Sequence, residues 1–152
     1  MAVVLLLLAG VLLVSRIPPP SYLFGEELRA REAIRQFLSQ DQGISQRWGN
    51  ILATGQRDGL SFDQLAGRIE ADVTANYEHS FEQLMAASPD SAVPSAKTLE
   101  ALQGYATQRA DASRALAEGL RSNDRSKIRQ ALKQAQQVPP LSTSGTGVPA
   151  PQ

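Results

Sequence analysis

The sequence predicts an all-α protein: an N-terminal apolar membrane segment, then an antiparallel three- to four-helix bundle, then a disordered tail. Three observations predict it. Residues 2–14 are uninterrupted apolar sequence. Across residues 21–138 apolar side chains recur at steps of three, four and seven, the spacing that lines one face of a helix. The composition favours helices over strands, because Ala, Leu, Gln, Arg and Glu abound while aromatics are 5% of the chain.

The apolar segment occupies residues 1–17, with Leu5, Leu6, Leu7 and Leu8 in its centre. Pro18, Pro19 and Pro20 break any helix that would continue it. About 13 residues of helix reach about 20 Å, short of a hydrocarbon core of about 30 Å. Three readings follow. A secretory signal has an apolar region of this length, but no Lys or Arg precedes it, and Leu13, Val14 and Ser15 make a poor cleavage site. An uncleaved anchor would thin the bilayer or extend itself through Ile17. The surviving end of a longer membrane helix would also open directly after Met1. The membrane is thus an expected partner through residues 2–17. Arg16, Arg29, Arg31 and Arg35 follow the run, which favours a bacterial inner-membrane protein with its bundle in the cytoplasm. A cleaved signal would instead place the bundle in the periplasm.

The bundle is expected over residues 21–138, with helices at about 22–54, 62–87, 95–121 and 125–137. Ser21 can cap the first, whose inward stripe is Leu23, Phe24, Leu28, Ile34, Phe37, Leu38, Ile44, Trp48, Ile51 and Leu52. Gly43 and Gly49 weaken it and permit a bend; Gly55 is a natural stop, and Arg57, Asp58 and Gly59 read as a turn. Ser61 and Gln64 have capping-box spacing at the start of the second helix. Its stripe is Phe62, Leu65, Ile69, Val73, Tyr77, Phe81 and Leu84, the cleanest pattern in the chain. Residues 88–94 form a loop with two prolines. Ser95 can cap the third helix, with Leu99, Leu102, Tyr105, Ala106, Ala112, Leu116 and Leu120 inward. Asn123 and Asp124 break it and cap the fourth, which uses Ile128, Ala131, Leu132 and Ala135. Residues 139–152 are a Pro/Gly/Ser/Thr tail too poor in apolar side chains to fold. Short connections make neighbouring helices antiparallel. The inward alanines imply close, thin packing, modest stability, and help from a protein partner or a second copy.

No catalytic, cofactor-binding or metal-binding residue stands out, and the chain does not read as an enzyme. Lys and Arg number 15 against 15 Asp and Glu, so no excess charge exists to displace counterions from phosphates, and nucleic acid is not an expected partner. Cysteine is absent, which removes disulfides, thiolate metal sites and thiol nucleophiles. His79 is the one histidine; with Glu82 it makes at most half a zinc site, and it points off the apolar stripe towards solvent. Met85 shares its helix, so the two cannot clasp a haem from opposite faces. No Gly-x-Ser-x-Gly elbow occurs, and Gly145-Thr146-Gly147 lacks the lysine and helix of a phosphate loop. Glu70 with Asp72, and Glu78 with Glu82, read as solubilising charges. Arg121, Arg125, Lys127, Arg129 and Lys133 make a positive end, read first as a solvated face and second as a contact for anionic lipid or an acidic partner. Trp48 lies on the first stripe and is expected in the core.

A family resemblance attaches to three stretches: Ala33-Ile34-Arg35-Gln36-Phe37-Leu38 with Asp41, then Ser45-Gln46-Arg47-Trp48, then Arg109-Ala110-Asp111-Ala112-Ser113-Arg114. With the apolar helix and proline break before them, they resemble the C-terminal end of proteobacterial rhomboid-family membrane proteins. The catalytic motif Gly-x-Ser-Gly and the catalytic histidine helix of that family are missing, so no catalytic residue carries over. The resemblance implies a membrane-tethered accessory region with a cytoplasmic bundle. The leading expectation from the residues is a membrane-anchored helical module that binds a protein or serves a structural role. The alternatives are a truncated accessory region of a rhomboid-family intramembrane protease and an exported periplasmic bundle.

Overall fold

Residues 21–138 are described by a computed structural model. The segments expected at residues 1–17, 18–20 and 139–152 lie outside the described residues. The described chain is helical, with four helical rods in sequence. Helix α1 is Ser21–Arg57. The second rod is α2 (Phe62–Ile69), a π turn (Glu70–Thr74) and α3 (Ala75–Ala86), all continuous. Helix α4 is Ala96–Arg121 and α5 is Arg125–Gln137. No helix among them is long and apolar enough to cross a membrane.

The expected helix boundaries hold to within a few residues. Gly55 does not stop α1, which runs on to Arg57. The reversal falls instead at Gly59, whose φ of +66° suits a residue without a Cβ. There the Leu60 N–H donates to the Gly55 carbonyl at 3.1 Å and closes the helix end. Gly55 is buried for another reason: a Cβ there would lie 2.6 Å from Leu65 Cδ1, so its bareness lets α1 and α2 approach. The Ser61 capping box forms in both directions, at 3.2 Å to the Gln64 N–H and 3.0 Å from the Ser61 N–H to Gln64 Oε1.

Asn123 and Asp124 also act as expected. Asn123 takes φ 49°, the Asp124 N–H returns to the Gly119 carbonyl at 3.0 Å, and Asp124 Oδ1 accepts from the Ser126 and Lys127 N–H groups. Ser95 departs from expectation. It makes no cap bond to α4; its hydroxyl and N–H both donate to Glu27 on α1, at 2.7 and 2.9 Å. The start of the first stripe departs as well. Phe24 and Leu28 are exposed, and the residues buried in those turns are instead Glu26 and Ala30.

The rods run up, down, up, down. Glu26 meets Ser91 and Ser45 meets Tyr77, so α1 and the second rod are antiparallel. Glu27 meets Ser95 and Ser45 meets Arg109, so α1 and α4 are parallel. The short α5 folds back along α4, where Gly119 allows its closest approach: a Cβ there would lie 3.0 Å from the Ile128 nitrogen. Two apolar clusters form the core. Ala30, Ile34, Phe37, Leu84, Leu99, Leu102 and Ala106 fill one end. Ile44, Trp48, Ile51, Leu65, Ile69, Val73, Tyr77 and Leu116 fill the other, with alanines of α4 between. Tyr105 packs against both, edge-on to Phe37 at 6.0 Å and to Tyr77 at 6.5 Å.

Candidate functional site

The junction between the two clusters is polar. Asp41 and Ser45 stand one turn apart on α1, and Tyr105 and Arg109 one turn apart on α4, so they project on one face each. The two helices are parallel, which sets the pairs side by side. Tyr77 comes across from α3. Its hydroxyl donates to Asp41 Oδ1 at 2.8 Å, and the Tyr105 hydroxyl donates to the same oxygen at 3.2 Å. Arg109 Nε donates to the Tyr77 oxygen at 3.2 Å, Nη2 to Ser45 Oγ at 3.3 Å and Nη1 to the Ala135 carbonyl of α5 at 3.4 Å. Ser45 Oγ lies 3.2 Å from the Tyr77 oxygen, whose own proton is spent on Asp41, so the serine donates. The bonds that run from Arg109 through Ser45 and Tyr77 lead to Asp41.

Among the described residues Arg109 has no direct carboxylate partner. Its guanidinium lies 4.5 Å from the centre of the Trp48 ring and 5.5 Å from that of Tyr77, where the ring faces attract a cation. Trp48 is buried as expected, yet its indole Nε1 has no hydrogen-bond partner among the described residues. Burial pushes the Tyr77 hydroxyl above its ordinary pKa. Burial does the same at Tyr105, reinforced by the negative charge of Asp41. Both tyrosines therefore remain protonated donors, held as structure-forming groups and not as bases.

The network floors a groove. Helices α1 and α5 flank α4 without their backbones meeting, and the space between them is about 680 Å³, walled by Leu38, Gln42, Gln46, Ala135, Gln136 and Val138. A smaller hollow of about 220 Å³ continues it past Ser45 and Arg109 to Trp48, Gly49, Leu52 and Leu132. Chemically the floor offers one negative and one positive side chain, two phenols and a hydroxyl, between apolar walls.

The features singled out in the sequence fall elsewhere. His79 is exposed, with Nδ1 3.9 Å from Glu82 and Nε2 3.1 Å from the Gln83 amide. Glu70 pairs with Arg121 and Glu78 with Arg114, each on an exposed face. Arg121 pulls the Glu70 carboxyl below its ordinary pKa against a smaller opposing effect of burial. Lys127 of the positive end pairs with Glu118. Among the described residues no group of three or more His, Cys, Asp or Glu side chains is placed to hold a metal.

Asp41, Ser45, Tyr77, Tyr105 and Arg109 did not emerge as a set from the sequence. The signal available was chemical: a tyrosine on a core stripe must bring its hydroxyl a partner. Two stripe tyrosines, with Asp/Ser and Tyr/Arg at four-residue spacing on other helices, supply one. Comparison with family models, curated proteins and solved structures gave no match, so the site is read from its own geometry.

Proposed function

We propose that the chain is a membrane-tethered helical module that binds a protein partner in the groove between α1 and α5. The tether is the apolar run of residues 2–17. The observation that carries the reading is the groove floor: a half-buried Arg109 stacked on Trp48 and bonded to neutral oxygens only. Guanidinium carries five N–H donors, of which Arg109 uses three here. A partner segment offers it a carboxylate or carbonyl oxygen while an apolar side chain settles against Leu38, Tyr105 and Val138. Helix-in-groove recognition combines these two elements.

The test is site-specific crosslinking in the native cell. A photoreactive residue at Gln136, on the groove rim, is expected to give a discrete protein adduct. The same residue at exposed Glu82, on the second rod, is expected to give none. Gln42→Trp fills the groove without touching the hydrogen-bonded floor and should abolish the adduct. Equal adducts from both positions, or an adduct indifferent to Gln42→Trp, would rule the groove out.

A second reading follows from the likeness to rhomboid-family proteins, in which the partner is the membrane part of such a protein. It is favoured by one observation: the three stretches that carry the likeness converge, with Leu38, Asp41, Trp48 and Arg109 all lining the groove or its extension. Adducts to such a membrane protein would select this reading.

A further inference from the structure

Five large apolar side chains are exposed among the described residues: Tyr22, Phe24, Leu28, Phe62 and Met85. Three of them gather at one end of the bundle. Tyr22, Phe24 and Leu28 belong to the first two turns of α1, where Phe24 is 68% and Tyr22 64% exposed. Met85 does not join them: Ser80 on α3 donates to Gln40 on α1, so Met85, further along an antiparallel helix, stands about level with Arg35, ~16 Å from Phe24 along the axis, and only the following loop returns to Glu26 through Ser91. Only Phe62 lies at the far end, at the start of α2.

This end is also where residues 1–20 join the bundle, and residues 2–14 of them are apolar without interruption. Phe24 and Leu28 share one face of α1, whereas Tyr22 lies about 160° from Phe24 around the axis at ~100° per residue. A helix lying flat in an interface needs one apolar stripe. Apolar groups facing several directions around a helix end fit an end-on approach. The carboxylates of the same turns are turned inward: Glu26 takes the Ser91 hydroxyl and Glu27 takes both the hydroxyl and the N–H of Ser95. Arg29 is exposed about 7 Å further along the axis, the height of lipid phosphates above an acyl boundary, while Arg31 and Arg35 pair with Glu27 and Glu32.

We infer that Tyr22, Phe24 and Leu28 form a membrane-contact surface, on which the bundle stands end-on in the lipid–water interface. The inference rests on the proposed tether and adds an orientation to it. Aromatic side chains at this level match the amphipathic belt that lipid headgroups accept.

The chain has no cysteine, so one introduced cysteine carries a single label. An environment-sensitive fluorophore is placed at position 24, 28, 62 or 85 of the full chain, in vesicles of phosphatidylcholine and phosphatidylglycerol. Labels at 24 and 28 are expected to shift to the blue and to be quenched severalfold more by spin-labelled lipid than the labels at 62 and 85. Four labels with the same water-like emission on a chain that floats with the vesicles would overturn the contact surface and spare the tether. A chain that stays free of vesicles overturns both. Blue-shifted labels that spin-labelled lipid does not quench would show a second copy covering this end, and would also overturn the inference.

Discussion

Arg109 couples three helices: it bonds Tyr77 of α3, Ser45 of α1 and Ala135 of α5 from its own position on α4. Arg109→Ala is expected to lower stability by about 1–3 kcal/mol, the range for charge-assisted bonds left half-made. Arg109→Lys should recover less than half of that, because an ammonium neither stacks flat on Trp48 nor forks to three oxygens. Urea unfolding measures both, and a lysine variant as stable as the parent contradicts the argument. The tyrosines set an alkaline limit. Their pKa values are raised in the folded chain, so their contribution is whole below the ordinary tyrosine value of 10.0 and is lost as pH rises through the raised values. Stability should fall with pH above about 10, and Tyr105→Phe should shallow that fall in denaturant titrations across the alkaline range. At this scale the sequence was half legible. Tyr77, Tyr105 and Trp48 read correctly as core, since size and stripe position decide burial. Their polar atoms did not read, since Asp41, Ser45 and Arg109 meet them only through tertiary placement.

The π turn at Glu70–Thr74 explains how the second rod keeps one face inward. Leu65, Ile69, Val73, Tyr77 and Phe81 are spaced by four throughout. In an α-helix each such step drifts about 40° around the axis, so four steps would carry Phe81 most of the way to the opposite side. The wider π turn takes up one residue and realigns the stripe; Ile69, Val73 and Tyr77 are all fully buried. The turn also faces a buried hydroxyl pair, Thr74 with Ser113 at 2.8 Å. Deleting exposed Ala71 turns the four-four spacing into four-three, which a plain α-helix satisfies. That variant is expected to unfold cooperatively with unchanged helical circular dichroism. Deleting Asn76, inside α3, rotates every later stripe residue by about 100° and should abolish cooperative unfolding. The glycines of α4 separate in the same manner. Gly104→Ala meets open space and should stabilise by about 0.5–1 kcal/mol, whereas Gly119→Ala drives α5 off α4 and should cost about 1–3 kcal/mol in thermal or urea melts. Helix positions, the Ser61 box and the Asp124 cap were legible from local chemistry. The π turn was written in the repeated step of four, yet that step also looks like ordinary helix over any short window. The Ser95 cap misread because Glu27, remote in sequence, competes for its hydroxyl.

For the whole molecule, short connections correctly implied an alternating order of rods. The groove was not legible, because it results from α5 being short and lying on α4 alone, out of backbone contact with α1. Standing end-on, the bundle would hold Asp41 about 25 Å from Phe24 along α1, clear of the headgroups. A partner would then be met at a fixed height above the bilayer. The reliance of α5 on a single neighbour carries a kinetic consequence. A segment with one supporting face opens below the free energy of global unfolding. Amide deuteration by mass spectrometry should therefore find α5 exchanging well before the buried turns of α4, and a protector in the groove should slow α5 first. The wall that shapes the groove is thus the part of the chain whose breathing sets how readily the groove is entered.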